Sequence, residues 1–295
     1  MVNRDTFDLG DVMLHALTWG TPGAPLALCL HGYPDTAWTW RHLGPELAAR
    51  GFHVVAPFSR GYAPSDIPAD GDLSTGARVA DALAIAARVG APESVVIGHD
   101  WGGFTATALA ALDGTPFRAV VSLAVPPIAS MTPRRDNLVP HLAQTLAQSV
   151  HSWYILANQL PVLPERVFAR LTEFLWRTWS PGYDATEDLA HLAAATPTPA
   201  HRTAVTDYYR FLLRRRARSP RNRELDRLLL AEPRHPLLAL HGSTDGCLRP
   251  GLFRGLERRL PAGSRVVEVE GAGHFLHLEQ PALVNRLIVE HLAAR

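Results

Sequence analysis

The sequence predicts an α/β fold, in which a doubly wound sheet of parallel strands carries helices on both faces. Short apolar runs rich in Val, Leu and Ile recur along the chain, and Ala-rich stretches with helical spacing lie between several of them. Alternation of this kind is typical of parallel sheets, because each crossover connection is a helix. The length of 295 residues and the hydrophobic content of 47% suit one large domain with an insertion.

Six apolar runs have the length and composition of buried strands. Strands that are buried on both faces read as continuous apolar runs rather than as alternating ones. The six runs are residues 25–30, 53–57, 94–97, 119–125, 236–240 and 265–269. Residues 77–89, with the sequence ARVADALAIAARV, predict a helix between two of these strands, and residues 281–292 predict a closing helix.

One long segment interrupts the alternation. Residues 128–232 contain no convincing strand, but Leu, Ala, Trp, Tyr and Arg recur there at helical periods between several prolines. We therefore expect a helical cap at 128–232, inserted into a core formed by residues 1–127 and 233–295. Near its end lies a cluster of basic residues: Arg214, Arg215, Arg216, Arg218, Arg221 and Arg223. Because no aromatic residues interleave with them, they indicate a solvated helix face rather than a nucleic-acid surface.

The composition excludes several classes of function. All 29 basic residues are Arg, so Schiff-base enzymes, Ser-Lys hydrolases and P-loop NTPases, which depend on Lys, are ruled out. A formal charge of +1 argues against a broad nucleic-acid footprint. The two cysteines lack the spacing of a metal site or a disulfide framework, which predicts a reduced, cytoplasmic protein. The amino terminus is charged and no apolar run reaches about 20 residues, so we expect neither secretion nor membrane insertion.

A motif at the end of the run 94–97 points to a chemical site. The chain reads GHDWGG and then enters an Ala-rich helix, so that Gly98 and Gly102 stand two residues before and two after Asp100. Small residues at these places permit a sharp strand-turn-helix elbow that presents the central side chain. A second interpretation is that Asp100 caps the following helix. The motif alone leaves both open.

Three further strand ends carry polar or turn-forming residues. The run 25–30 leads into His31-Gly32-Tyr33-Pro34, whose backbone amide could face the elbow. The run 236–240 leads to Asp245, and the run 265–269 leads to His274. Open α/β sheets bind ligands at this edge. Taken singly, Asp245 has a second interpretation as a residue that caps a turn, and His274 is one of 14 histidines. A HExxH motif is absent, so no metal is expected.

Together these motifs resemble the α/β-hydrolase superfamily over nearly the whole chain. HGYP, RGYAPSD at residues 60–66, GHDWGG and GAGH carry the resemblance, within the branch that uses an Asp nucleophile and contains epoxide hydrolases and haloalkane dehalogenases. The resemblance implies a mostly parallel eight-stranded sheet with an inserted helical cap. It also implies the order nucleophile Asp100, acid Asp245 and base His274, with the backbone amides of Tyr33 and Trp101 as the oxyanion hole.

The cap separates the two enzyme classes. Epoxide hydrolases use two cap tyrosines that donate hydrogen bonds to the epoxide oxygen. SWYILANQLP resembles the first tyrosine segment and DYYR the second, which implies Tyr154 and Tyr209, with Tyr208 as a rival for Tyr209. Cap aromatics can also serve only for packing. A dehalogenase would keep Trp101 as a halide donor beside a second donor, such as an Asn in the HGxP segment or a Trp in the cap. Here position 33 of the HGxP segment is Tyr.

The resemblance therefore predicts an epoxide hydrolase that forms a covalent ester on Asp100 and releases a vicinal diol. Fluoroacetate dehalogenases hold a carboxylate with arginines at the positions of Trp101 and Phe104, so an apolar, uncharged epoxide is expected here, with water as second reactant and no cofactor. We expect Tyr33, Trp101 and Trp153 to line the substrate pocket. Alternatives are a haloalkane dehalogenase and a ligand-binding relative without turnover. The oligomeric state, the stereochemistry and the attacked carbon do not follow from the sequence.

Overall fold

The computed structural model describes residues 1–132, 138–214, 216 and 218–294. Within them the chain forms one eight-stranded sheet in the order β1-β2-β4-β3-β5-β6-β7-β8. The strands are β1 (Asn3–Asp8), β2 (Met13–Trp19), β3 (Leu26–Leu30), β4 (His53–Pro57), β5 (Ser94–His99), β6 (Phe117–Leu123), β7 (Leu237–Gly242) and β8 (Arg265–Val269). Only the first two pairings, β1 with β2 and β2 with β4, are antiparallel.

The six predicted strands are confirmed as β3 to β8, with small differences at their ends. The run 119–125 ends earlier than predicted, because Ala124 has φ 64° and leaves the extended conformation after Leu123. The hairpin of β1 and β2 was not among the six strands. All but one residue of β1 are exposed, so this edge strand carries no apolar run that would indicate it.

Helices cover both faces of the sheet. They are α1 (Leu43–Ala48), α2 (Thr75–Val89), α3 (Trp101–Ala111), α4 (Leu138–His151), α5 (Trp153–Ala157), α6 (Leu163–Arg166), α7 (Phe168–Trp179), α8 (Thr186–Ala195), α9 (Pro199–Leu213), α10 (Pro220–Asp226), α11 (Leu276–Glu279) and α12 (Pro281–Ala293). Helix α2 begins where Ser74 accepts a hydrogen bond from the Ala77 amide and ends at Gly90, whose φ is 62°. Apolar residues of α2 and α3 form one core layer, and those of α1 and α12 form the other with part of the cap.

Helices α4 to α10 occupy the predicted cap, and the described part of 128–232 contains no strand. The segment is tied to the core at several points. Trp176 donates its indole N–H to the Pro34 carbonyl at 2.8 Å. Its last helix, α10, packs directly on α2, because a Cβ on Gly76 would overlap the Asn222 carbonyl and the Gly76 amide donates to Asp226 at 2.6 Å. The division at residues 127/128 and 232/233 stays a prediction.

The arginine cluster differs in part from the predicted helix face. Arg216 and Arg218 lie between α9 and α10, where they form ion pairs with Asp207 at 2.6 Å and with Asp226 at 3.0 Å. The expectation of a solvated helix face is wrong for these two, because acidic partners of the neighbouring helices hold them. Arg221 and Arg223 are exposed on α10, as expected. Arg215 lies outside the described residues.

No helix in the described part of the chain combines the length and the apolar character that a bilayer crossing requires. Both cysteines are free thiols and both are buried. A cytoplasmic location stays a prediction.

Candidate active site

The elbow between β5 and α3 holds Asp100 in a strained conformation. Its φ of 51° and ψ of −115° are rare for a residue with a side chain. The glycines on either side make the turn possible: a Cβ on Gly98 would overlap the Gly102 carbonyl, and a Cβ on Gly102 would overlap the Leu30 carbonyl. The Asp100 side chain makes no capping hydrogen bond to α3. The carboxylate therefore stands clear of the helix, at the edge where the parallel strands end.

The Asp100 carboxylate is buried and held at one oxygen. Its Oδ1 accepts a hydrogen bond from the backbone amide of Tyr33 at 2.8 Å. Gly32 is required for this approach, because a Cβ there would overlap the Asp100 side chain. Burial raises the pKa of Asp100, but the hydrogen bond and charge of His274, the charge of His99 and the Tyr33 amide outweigh burial and hold the pKa below its usual value. Asp100 is therefore an ionised carboxylate with one oxygen positioned by the backbone.

A histidine and a second carboxylate complete the group. The Nδ1 atom of His274 lies 2.9 Å from Asp245 Oδ2, and its Nε2 atom lies 3.6 Å from Asp100 Oδ2. Asp245 Oδ1 accepts hydrogen bonds from the amides of Cys247 at 2.7 Å and Leu248 at 3.0 Å. Burial lowers the pKa of His274, but the charge of Asp245 and the hydrogen bonds with Asp100 and Asp245 raise it to about 10. The fold thus joins the three predicted residues into one constellation.

The cap contributes backbone to this constellation. The carbonyl of Trp179, the last residue of α7, accepts a hydrogen bond from the Gly246 amide at 3.2 Å and one from the His274 amide at 2.9 Å. One carbonyl therefore links the loops that carry the acid and the base. Neither loop tolerates a side chain at its closest point, because a Cβ on Gly246 would overlap the Thr178 carbonyl and a Cβ on Gly273 would crowd that of Trp179.

Two cap tyrosines face the same space from α5 and α9. The rings of Tyr154 and Tyr209 lie 5.5 Å apart, edge to face. The Tyr154 hydroxyl lies 3.3 Å from Cys247 Sγ, and the buried Tyr209 hydroxyl has no hydrogen-bond partner among the described residues. Burial is the main reason that both pKa values lie well above 10, and the nearby charge of Asp100 raises them further. Both phenols therefore keep their protons.

Tyr208 occupies a different environment from its neighbour. Its hydroxyl donates to the Arg60 carbonyl at 2.7 Å, and the guanidinium of Arg78 lies 4.3 Å from the centre of its ring. Tyr208 is not among the residues that line the cavity at Asp100. Of the two adjacent tyrosines, Tyr209 is the one whose hydroxyl is free at that cavity.

A cavity of about 270 Å³ lies over Asp100. Aromatic and aliphatic side chains dominate its wall, and Asp100 is the only charged residue among the described ones that line it. The lining residues are Asp100, Trp101, Phe104, Ile128, Met131, Thr132, Gln148, Ser152, Tyr154, Ile155, Tyr209, Leu212, Cys247 and Leu248. Leu212 is 40% exposed and Thr132 is also exposed, so the cavity opens toward solvent on this side.

The three residues expected to line the pocket have different positions. Trp101 lines the cavity. The Tyr33 ring lies behind that of Tyr209 at 5.0 Å and is fully buried, so its contribution at the described site is its backbone amide. Trp153 is 43% exposed and packs on Phe174 on the outer side of the cap. The placement of Trp153 in the pocket is therefore corrected: successive residues of a helix point about 100° apart, and Tyr154 is the one that turns inward.

Sequence reasoning missed two residues of this site. Cys247 is one of the two cysteines that lack metal or disulfide spacing, so its sequence context predicts no role. In the structure it lines the cavity, contacts Tyr154 and donates a hydrogen bond from its amide to Asp245. Its position two residues after the acid was the available signal. His99 Nε2 lies 3.0 Å from the His274 carbonyl, so the residue before the nucleophile supports the loop of the base. Two groups of three buried residues each bring possible metal-ligand atoms within 4.8 Å of one another. One group is Asp35, His99 and His277, and the other is Asp100, Cys247 and His274.

The chain is similar to several known proteins over nearly its whole length. Epoxide hydrolase A of Mycobacterium tuberculosis is 29% identical over 97% of this chain and 95% of its own length. The AB hydrolase superfamily protein YfhM of Bacillus subtilis is 28% identical over 95% of this chain and 94% of its own. The crystal structure of Epoxide Hydrolase A from Mycobacterium thermoresistibile matches with a TM-score of 0.78 and 25% identity, covering 99% of this chain and 98% of that chain.

A family-wide comparison covers most of the chain. The sequence profile of the family described as alpha/beta hydrolase fold matches residues 25–281, which include the elbow, both loops of the acid and base, and the cap. The eight-stranded sheet with its inserted helices is the architecture expected from the motifs. The chain therefore belongs to the alpha/beta hydrolase fold family.

Proposed function

We propose that this protein is an epoxide hydrolase that converts an apolar epoxide into a vicinal diol through an ester on Asp100. The observation that carries the proposal is the pair of protonated cap tyrosines, Tyr154 and Tyr209, which line the same cavity as a buried, ionised carboxylate. Several relatives carry the name epoxide hydrolase, among them the one from Mycobacterium tuberculosis.

The first step is attack of a carboxylate oxygen on an oxirane carbon. The Tyr33 amide binds Asp100 Oδ1, so Oδ2 is the oxygen that forms the new C–O bond. As the oxirane C–O bond breaks, the departing oxygen gains negative charge, which the hydroxyls of Tyr154 and Tyr209 stabilise and protonate. An aspartate suits this role because its product is an ester that water can cleave, whereas a serine would form an ether.

The second step is hydrolysis of that ester. His274 deprotonates a water molecule, which attacks the carbonyl carbon of Asp100, and Asp245 orients the imidazole and stabilises its cationic form. The oxyanion forms on Oδ1, which the Tyr33 amide already holds, and the Trp101 amide is its second donor. Ester formation removes the charge of Asp100, so the pKa of His274 falls from about 10 and its Nε2 becomes available as a base.

The wall of the cavity supports an uncharged, apolar substrate. Its volume of about 270 Å³ is in the range of a small organic molecule. No basic residue is among the described residues that line it, so a substrate carboxylate would find no counter-charge there. The preferred enantiomer and the carbon attacked depend on how a substrate lies between the tyrosines and Asp100.

A haloalkane dehalogenase is the second candidate, because it would use the same nucleophile, acid and base. One observation favours it: within the part of the chain that the structure describes, the buried indole N–H of Trp101 has no hydrogen-bond partner beside Asp100, where it could bind a departing halide. A third possibility is a ligand-binding relative without turnover. The complete set of nucleophile, base and acid argues against that possibility, because simple binding requires none of them.

The test is to incubate the purified protein with styrene oxide and, separately, with 1-bromobutane, and to measure diol and bromide. We expect diol formation. Asp100→Asn serves as the control and should be inactive with both substrates, provided that mass spectrometry of fresh protein excludes deamidation to Asp. Bromide release without diol would support the dehalogenase, and turnover of neither substrate while both bind would support the binding protein.

A further inference from the structure

The wall of the active-site cavity contains a thiol that the proposed reaction does not use. Cys247 Sγ, a ring nitrogen of His274 and a carboxylate oxygen of Asp100 all lie within 4.8 Å of one another, and all three residues are buried. The Nε2 atom of His274 is fully buried, and its contact with Oδ2 of Asp100 is long, at 3.6 Å. A sulfur, a nitrogen and an oxygen donor thus converge on one point next to the substrate space.

We propose that Asp100, Cys247 and His274 form an inhibitory binding site for a thiophilic divalent cation of the Zn²⁺ or Cd²⁺ class. The mixed S, N and O donors are those that zinc accepts in proteins, and three protein ligands leave a fourth position open toward the cavity. Because two of the ligands are the nucleophile and the base of the proposed hydrolysis, an ion bound here blocks the reaction. The binding itself requires no turnover.

The geometry needs little change to accept an ion. Zinc ligands at about 2.0–2.3 Å in a tetrahedron lie about 3.5 Å from one another. The Nε2 atom of His274 and Oδ2 of Asp100 are already 3.6 Å apart. The sulfur is at most 4.8 Å from either, so it must move by about 1 Å toward them, away from the Tyr154 hydroxyl that it contacts at 3.3 Å.

The surroundings have the features of a metal centre. Histidine ligands donate their other ring N–H to a carboxylate in many such centres, and His274 Nδ1 lies 2.9 Å from Asp245 Oδ2. Asp245 also accepts a hydrogen bond from the amide of Cys247. Its carboxylate is therefore hydrogen-bonded to two of the three ligand residues. The contacts that orient His274 for catalysis therefore also orient it toward an ion.

Binding leaves the charge of this buried site unchanged. The ion brings two positive charges, and the imidazole Nε2 and the thiol each lose one proton as they become ligands, so the net charge of the group, which includes the Asp245 carboxylate, does not change. One metal–sulfur, one metal–nitrogen and one metal–oxygen bond form, and two protons leave to solvent. Binding therefore buries no additional net charge.

The experiment measures binding first, without any substrate. CdCl2 is added to the metal-free protein, and the ultraviolet band of sulfur-to-cadmium charge transfer is recorded. The wild type should bind one equivalent with this band. Cys29→Ala is the matched control, because it removes the other buried thiol, which lies on β3, and it should behave like the wild type. Cys247→Ala and Cys247→Ser should lack the band, and circular dichroism checks that each variant is folded.

The second readout is inhibition, expressed relative to the activity of each variant without metal. ZnCl2 should inhibit the wild type and Cys29→Ala at concentrations about tenfold or more below those needed for either Cys247 variant, and MgCl2 should not inhibit. A cadmium–sulfur band that persists in folded Cys247→Ala, or its absence from the wild type, would overturn the proposal. If the protein binds Cd²⁺ in this way but converts no epoxide, the proposed function fails and the metal site stands.

Discussion

The hydroxyls of the single residues Tyr154 and Tyr209 face the active-site cavity, whereas that of the adjacent Tyr208 does not. We expect Tyr154→Phe and Tyr209→Phe each to slow ester formation by about 10- to 1,000-fold, because each removes one donor to the developing alkoxide. The double variant should be nearly inactive. Tyr208→Phe is the matched control, since its hydroxyl contacts the Arg60 carbonyl instead. Stopped-flow measurement of single turnovers reads the rate, and a larger effect of Tyr208→Phe would contradict the assignment.

His274 separates the two half-reactions. If it activates water but takes no part in the attack by Asp100, then His274→Ala should be alkylated by an epoxide and stop there. Intact-protein mass spectrometry should show one added epoxide mass on His274→Ala and none on the variant that also carries Asp100→Asn. Asp245→Asn should show a weaker form of the same accumulation, because the base loses its preferred tautomer. Absence of adduct on folded His274→Ala would favour direct attack of water on the epoxide.

The ionisation of His274 should depend on Asp100. The carboxylate raises the pKa of His274, so Asp100→Asn should lower it from about 10, and the neutral imidazole should become more abundant at any given pH. Histidine NMR titration of both proteins measures this, with His274→Ala identifying the resonance. The same sign predicts that ester hydrolysis speeds up as pH rises, since only neutral His274 accepts a proton. An unchanged pKa in Asp100→Asn would contradict the proposed coupling.

At the scale of elements, the strand-turn-helix elbow depends on the absence of a side chain at one place. Gly102→Ala should destabilise the protein by about 1–3 kcal/mol and reduce activity, because the new methyl group overlaps the backbone of β3 at Leu30. Gly251→Ala is the control: its nearest neighbour to a Cβ would be Gln144 Nε2 at 3.8 Å. Urea unfolding measures both. Equal stability of the two variants would show that the elbow can move to accept the methyl group.

The elements that sequence reasoning could predict are the buried ones. Strands β3 to β7 were recognisable because burial on both faces demands continuous apolar residues. The edge strand β8 is largely unburied and was recognisable from its three valines alone. Strand β1 was not, because only Phe7 of its six residues is buried. The three central site residues could be predicted because each follows a strand that ends at the same edge of the sheet. They are Asp100, Asp245 and His274. Trp153 was predicted on the wrong side of its helix, because tertiary contacts decide which side of a five-residue helix faces the core. Cys247 was overlooked, because the direction in which a side chain of a loop points also depends on tertiary contacts.

At the scale of the whole molecule, a buried ion pair joins cap and core. Arg41 follows the 3-10 turn Ala37–Trp40 of the core, and its guanidinium lies 2.7 Å and 3.2 Å from the two carboxylate oxygens of Asp188 on α8. The Tyr183 hydroxyl donates to the same carboxylate at 2.9 Å. The side chain of Asp188 is 1% exposed, so these partners supply the hydrogen bonds that water would otherwise make.

Arg41→Met should therefore cost about 3–5 kcal/mol of unfolding free energy, because it leaves the Asp188 carboxylate buried without its cation. Arg50→Met is the control, since Arg50 pairs with Glu46 on the surface and that pair is worth about 1 kcal/mol or less. Urea unfolding with matched slopes compares them. Similar losses in the two variants would mean that the link between cap and core contributes little.

The carbonyl at the end of α7 limits how cap segments can be exchanged between homologous proteins. Trp179 belongs to the cap, yet its oxygen is the shared acceptor for Gly246 and His274, which lie in the loops of the core. A cap transplanted from a homologue would have to present a carbonyl at that same point, or two amides beside the acid and the base would lose their acceptor. The last turn of α7 and these two loops should therefore be taken from the same parent protein in a chimaera. Recombination boundaries placed after Trp179 should preserve the alignment of Asp245 and His274 better than boundaries placed before it.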